Sequence, residues 1–162
     1  IDYGHGFLSP TLRERIVNES KFLAVNAQTN SSNYGFNRIN EKWPTADLCV
    51  IDDMEARLAA HEPTLPMEDV IRKLAYPKII VTMGAAGAIG FDGEFFHEKA
   101  LTDRPVDLLG AGDAVLATIA PFAKAGWAMR DLVHLGNVAG AIKVGILGHQ
   151  QHITKQLLEA SL

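Results

Sequence analysis

Three short apolar runs, separated by stretches with helical signals, constrain this chain more than any other feature. They occupy residues 21–26 (Lys-Phe-Leu-Ala-Val-Asn), 46–52 and 78–83 (Lys-Ile-Ile-Val-Thr-Met). None alternates apolar with polar positions, so each suits a strand covered on both faces, as in a parallel sheet. Ser9 suits an N-cap with Pro10 at the first helical position, opening a helix to about residue 20. Residues 53–60 and 66–75 are two further helices. This alternation marks an α/β fold. A chain of 162 residues fits one domain. Such a chain buries roughly two thirds of its unfolded surface and needs no disulfide or metal to hold a core.

Residues 88–97 read as a hairpin around Asp92-Gly93, a preferred tight-turn pair. Segments 113–125, 129–146 and 154–160 are expected to be helical, with Gly126 as a stop between the first two. Residues 26–40 hold five Asn, two Ser and no long apolar run, which reads equally as a functional loop or a solvated one. The opening Ile1-Asp2-Tyr3-Gly4-His5-Gly6 reads as the end of a strand entering a Gly-rich loop. Upstream sequence is therefore expected, although processing would explain the same start.

Charge and composition exclude several classes. The net charge is −4 and no basic run occurs, which argues against nucleic acid or an anionic membrane as partner. The single cysteine, Cys49, lies in an apolar run and reads as a buried hydrophobe. It excludes an internal disulfide and favours a reducing, cytoplasmic setting. No apolar stretch approaches the roughly 20 residues of a membrane span, and the first residues lack a signal peptide's basic start and apolar run. The six histidines are scattered; His149 and His152 lack further partners for zinc.

The strongest chemical signal is Asp107-Leu108-Leu109-Gly110-Ala111-Gly112-Asp113, running directly into a small-residue helix. Gly110, Ala111 and Gly112 leave backbone N–H groups uncovered, and a helix start adds unpaired donors and partial positive charge. Together they form an anion hole suited to phosphate. Asp113 at its end suits a base that removes a proton from an attacking hydroxyl. The competing reading is an N-cap aspartate after a Gly-rich turn.

The motif in its surroundings resembles the signature of the ribokinase-like (PfkB) carbohydrate kinases. Val81-Thr82-Met83-Gly84-Ala85-Ala86-Gly87-Ala88 resembles that family's strand and turn beside the nucleotide's ribose and phosphates. Gly136-Asn137-Val138-Ala139-Gly140-Ala141 resembles its late helix beside the adenine. Asp52-Asp53-Met54-Glu55 falls where the family has an Asn-x-x-Glu motif serving magnesium, and Asp2-Tyr3-Gly4-His5-Gly6 is similar to the Asp-Tyr-Gly-Lys-Gly of heptose phosphate kinases. These matches run in family order from residue 2 to about 148.

The resemblance implies a three-layer ribokinase-like sheet with flanking helices, of which this chain is the C-terminal portion only. The expected N-terminal portion, with the first strands, the lid and much of the sugar site, has no match here. It implies ATP and Mg²⁺ as cofactors and a sugar or sugar-phosphate substrate. Asp113 would be the base, and Gly110, Ala111 and Gly112 would hold the transferring phosphoryl group. Thr82, Gly84 and Gly87 would line the nucleotide groove, and Asn137 would touch the adenine. Glu55, with Asp52 beside it, would serve the metal. A monovalent cation such as K⁺ would bind backbone oxygens near the signature loop and near residues 142–148. Leu108 and Leu109 replace the family's usual threonines, and Asp52 replaces its asparagine. These departures support an alternative, a nucleotide-binding or regulatory relative that transfers no phosphate. A dinucleotide-binding oxidoreductase is disfavoured, because no Gly-x-Gly-x-x-Gly follows a first strand. The isolated chain is expected to be inactive, and its uncovered sheet edge to promote self-association.

Overall fold

The computed structural model describes residues 1–29, 36–102, 105–148 and 150–162. Helix α1 (Pro10–Glu19) starts as expected, with the Ser9 hydroxyl accepting from Leu12 N. Strand β1 (Ala24–Val25) uses only two residues of its apolar run. Phe22 and Leu23, just before it, pack instead against opposite cores. A short helix, α2 (Ile39–Lys42), lies at the end of the Asn-rich stretch, of which residues 30–35 fall outside the described residues.

Strand β2 (Leu48–Asp52) runs directly into α3 (Asp53–Ala60), and α4 (Met67–Leu74) precedes β3 (Ile79–Thr82). Met67, Val70, Ile71 and Leu74 recur at helical spacing, and all four are buried. Strands β4 (Ala88–Phe91) and β5 (Phe95–Glu98) form the hairpin read from Asp92-Gly93. The rest is helical: α5 (Ala111–Lys124), α6 (Met129–Val144) and α7 (Lys155–Glu159).

The strands form one five-stranded sheet in the order β1-β2-β3-β4-β5. The first three are parallel, and the hairpin adds two antiparallel strands at one edge. At the other edge Asp2 makes an isolated parallel bridge to Ala27, just beyond β1.

Both faces of the central strands are covered. On one face Cys49, Ile51, Ile79 and Val81 pack with Ala56 and Ala59 of α3 and with Val70 and Ile71 of α4. On the other, Leu48, Val50 and Ile80 pack with Val115 and Ile119 of α5 and with Leu132 and Val133 of α6. This explains why the apolar runs do not alternate: each neighbouring pair of residues serves two cores. Full burial of a Leu or Ile side chain contributes about 1.5–3 kcal/mol. Helix α6 approaches β4 at Gly90, where an added Cβ would stand 2.4 Å from a Val133 methyl. Among the described residues no helix is long and apolar enough to cross a membrane.

Candidate active site

The carboxyl ends of parallel strands are where ligands bind in open α/β sheets. Here β3 leaves the sheet at Thr82, and the chain makes a tight 3₁₀ turn over Gly84–Ala86. Gly87 follows with φ 97°, and a Cβ there would stand 1.9 Å from the Glu98 carbonyl oxygen. Glycine is thus required for the turn to re-enter the hairpin.

Thr82, Gly84 and Gly87 form one wall of a cleft of about 160 Å³. Ala111 and Gly112 of α5 and Asn137 of α6 form others. Three separate sequence segments therefore converge on one space. Gly136, Gly140 and Ala141 keep its far wall shallow and apolar. Asn137 Nδ2 donates to the Lys99 carbonyl at 3.1 Å, so this amide is held by a neighbouring segment. Leu108, in place of a threonine, is 68% exposed and lines the same cleft.

The turn before α5 differs in detail from the sequence reading. Gly110 is the N-cap, with φ 73° and no side-chain cap bond. Left-handed backbone is thus needed at Gly110 and not at Gly112, where an added Cβ would meet open space. Ala111 N donates to Leu108 O at 3.3 Å, so it already closes a turn. The N–H groups of Gly110, Gly112 and Asp113 make no hydrogen bond among the described residues. They are the donors left for an anion.

Asp113 is the third residue of α5 and does not cap it. Its Oδ2 accepts from the Tyr3 hydroxyl at 2.9 Å, and its Oδ1 accepts from Gln28 Nε2. The Tyr3 hydroxyl is held above its ordinary pKa, first by this hydrogen bond and then by burial and the Asp113 charge. Tyr3 lies in the opening motif already singled out. Gln28 was missed, and the length of the Asn-rich stretch was its only signal.

Asp107 organises the loop below. Its Oδ1 accepts from Leu109 N at 2.9 Å and its Oδ2 from Gly148 N at 2.8 Å. Val106 N and Asp107 N both donate to Val144 O. The signature loop is thereby fastened to the end of α6. Lys143 Nζ donates to Gly148 O at 2.9 Å. A carbonyl in the stretch expected to serve a monovalent cation is thus already engaged by an ammonium.

Asp52 and Glu55 form a capping box at the start of α3. Asp52 Oδ1 accepts from Glu55 N at 2.7 Å, and Glu55 Oε2 accepts from Asp52 N at 3.0 Å. The other Glu55 oxygen, Oε1, accepts from Thr29 N at 2.8 Å. Glu55 is buried, and burial pushes its carboxyl up to about 7, with the Asp52 charge adding to the rise and the Asp113 charge contributing least. Burial raises Asp52 as well. Two hard oxygen donors whose negative charges repel would be relieved by a divalent cation. Among the described residues no group of three His, Cys, Asp or Glu side chains gathers as a metal centre. The pair fits magnesium in its usual form, with one or two protein carboxylates, waters and substrate phosphates.

Glu55 makes folding stability depend on pH. Its folded pKa lies above the ordinary 4.5, so between pH 4.5 and about 7 the folded state holds more protons than the unfolded one. The contribution of Glu55 to stability is then fullest below pH 4.5 and is lost through that window, by roughly 3 kcal/mol. Urea midpoints across pH 4.5–8 should show this slope in the absence of divalent metal. Glu55→Gln should flatten it; an unchanged slope in that variant would show that other groups cause it.

His134 Nδ1 lies 2.7 Å from Glu98 Oε1 on the hairpin, away from any metal-like set, and His149 falls outside the described residues. Cys49 is fully buried, as expected for a small hydrophobe.

Residues 3–156 match the model of the pfkB family carbohydrate kinases. The bifunctional protein HldE of Hyphomonas neptunium is 29% identical over 156 residues, covering 91% of this chain and 31% of that protein. Its counterpart in Methylobacillus flagellatus is 29% identical over 157 residues, with the same shares. The chain thus spans about a third of the length of these relatives. A Clostridium perfringens structure assigned as a sugar kinase superposes with a TM-score of 0.77 at 16% identity, over 99% of this chain and 51% of that one. Thermotoga maritima ribokinase superposes with a TM-score of 0.64 at 25% identity, over 72% and 42%. Escherichia coli phosphofructokinase-2, solved in complex with potassium, gives 0.62 at 18% identity, over 72% and 40%. The match across nearly the whole chain, on a sheet and cleft of this form, places the chain in the pfkB family of carbohydrate kinases.

Proposed function

We propose that this chain is the nucleotide-binding and catalytic portion of an ATP-dependent kinase acting on an alcohol group of a sugar or sugar phosphate. The observation that carries the reading is the cleft: Thr82, Gly84, Gly87, Ala111, Gly112 and Asn137 line one space beside the open N-terminus of α5. ATP would lie along it with its adenine toward Asn137 and its terminal phosphate toward Gly112. The acceptor oxygen would attack the γ-phosphorus, its proton would pass to Asp113, and ADP would leave. Magnesium, held by Glu55 and Asp52 directly or through water, would supply charge neutralisation on the phosphates. The free N–H groups of Gly110, Gly112 and Asp113 would stabilise the transferring group. The Asp2-Tyr3-Gly4-His5-Gly6 opening favours a heptose-phosphate type of acceptor.

A relative that binds nucleotide without transferring phosphate is the second reading. It draws on the occupied oxygens of Asp113 and on Leu108 in the cleft wall. Loss of a general base distinguishes the two.

The cleft itself is tested by Gly112→Val in the natural full-length protein. Gly112 lines the cleft, and its Cβ direction is open, so the fold should survive while the new side chain fills the phosphate end. ATP affinity measured by calorimetry should fall about tenfold or more, the scale of overpacking a well-fitted space. Unchanged ATP affinity in a folded variant would remove the phosphate from this position.

A further inference from the structure

Lys143, which holds Gly148 O beside the signature loop, is among the few buried charged residues of those described. It lies in the last turn of α6 and is 7% exposed. A lysine at a helix end usually rests in solvent near the terminal carbonyls. Lys124, in the last turn of α5, does so and is exposed. Lys143 instead turns inward. Its Nζ, which has three N–H donors, gives one to Gly148 O at 2.9 Å. Among the described residues no carboxylate lies within ion-pair distance of it. A buried ammonium without a counter-charge is costly.

The position of the side chain supplies the missing partner. A Cβ added at Gly110 would stand 3.6 Å from Lys143 Cε, so the lysine stem runs behind the N-cap of α5. That same turn carries the free N–H groups that suit an anion. Gly148, which Lys143 holds by its oxygen, donates its own N–H to Asp107, and Asp107 in turn fixes Leu109 N. Lys143 is therefore linked to the phosphate turn twice, once by direct approach to Gly110 and once through Gly148 and Asp107.

We propose that Lys143 is a tethered monovalent cation behind the phosphate turn, in place of a free potassium ion, and that its counter-charge is the nucleotide phosphate. The proposal rests on the nucleotide reading of the cleft. An ammonium and a potassium ion carry the same charge and both take backbone carbonyl ligands. A covalently held ammonium needs no ion from solution. Lys143 is a positioning residue: it sets the turn and its electrostatic field and does not touch the reacting atoms.

The experiment uses the natural full-length protein and its Lys143→Ala and Lys143→Met variants in sodium, potassium and ammonium chloride at equal ionic strength. ATP affinity and thermal midpoint are both measured. Wild type should bind ATP equally, within about twofold, in all three salts. Lys143→Ala should bind roughly tenfold more weakly in sodium, the scale of one nearby charge in a partly screened site. Potassium or ammonium should restore most of that loss by entering the vacated space. Lys143→Met should lose affinity similarly, with no salt restoring it, because its stem blocks that space. The proposal is overturned if wild type needs potassium, or if either variant binds ATP like wild type in sodium. If wild type binds no ATP, the nucleotide reading fails, and the thermal midpoint decides the cation role separately. A Lys143→Ala midpoint several degrees higher in potassium or ammonium than in sodium supports it; equal midpoints overturn it. If the alanine variant folds in no salt, the ATP affinity of Lys143→Met decides.

Discussion

Asp113→Asn in the natural full-length protein is expected to lower kinase turnover by at least about 10²-fold, the low end for loss of a general base. The substitution changes little else. Asn keeps the size of Asp and an oxygen that can accept from Tyr3 or Gln28, the two groups that hold the carboxylate. Asp113 does not cap α5, because Gly110 occupies that position, so the helix start should survive. Nucleotide affinity should stay within a few-fold, since the phosphate donors on this turn are backbone groups. The readout is the separation of the two constants: kcat falls while ATP binding holds. Turnover within a few-fold of wild type would show that Asp113 is a structural anchor for Tyr3 and Gln28. It would also favour the reading in which the protein binds nucleotide without a base.

Much of the architecture was legible because its elements are locally determined. Residues 53–60 match α3 because Asp52-x-x-Glu55 is itself a helix-start pattern. The same pattern resembles a metal motif, and in the structure its two carboxylates form a capping box. The hairpin was legible because Asp92-Gly93 has few alternative conformations. Helix α2 was not, since four residues with a single buried side chain, Ile39, show no periodicity. It sits beside Trp43, whose indole N–H reaches Asp2 across 41 positions of sequence. Convergence on the cleft was legible through glycines and small residues, because close backbone approach restricts what can stand there. The polar partners were not. Gln28 and Lys143 are ordinary residues in sequence, and their roles come from contacts to Asp113 and Gly148 that only the folded chain creates.

The 162-residue chain on its own is expected to show no measurable sugar kinase turnover, although it should bind ATP weakly. It spans 31% of the HldE relatives and 51% of the Clostridium perfringens structure, and its cleft gathers nucleotide-side groups. The side chains that reach Asp113 here are Tyr3 and Gln28, which hold its carboxylate, and the proposed acceptor would need further groups to be held in line with the γ-phosphate. Positioning of that kind can account for about 7–11 kcal/mol of a barrier. Water reaching an open site would weaken each electrostatic contact as well. The opening segment also exposes apolar surface: Tyr3, bonded to Asp113, is 45% exposed, and Phe7 is 90% exposed. Among the described residues the sheet edge beyond β1 carries a single bridge. Exposed apolar side chains beside an unpaired edge favour association, so the isolated chain should sediment as more than a monomer. The assay pairs ATP and magnesium with a panel of sugars and sugar phosphates, run beside sedimentation. Robust turnover by a monomer would show that the nucleotide-side groups suffice, and that no covering portion is needed to place the acceptor.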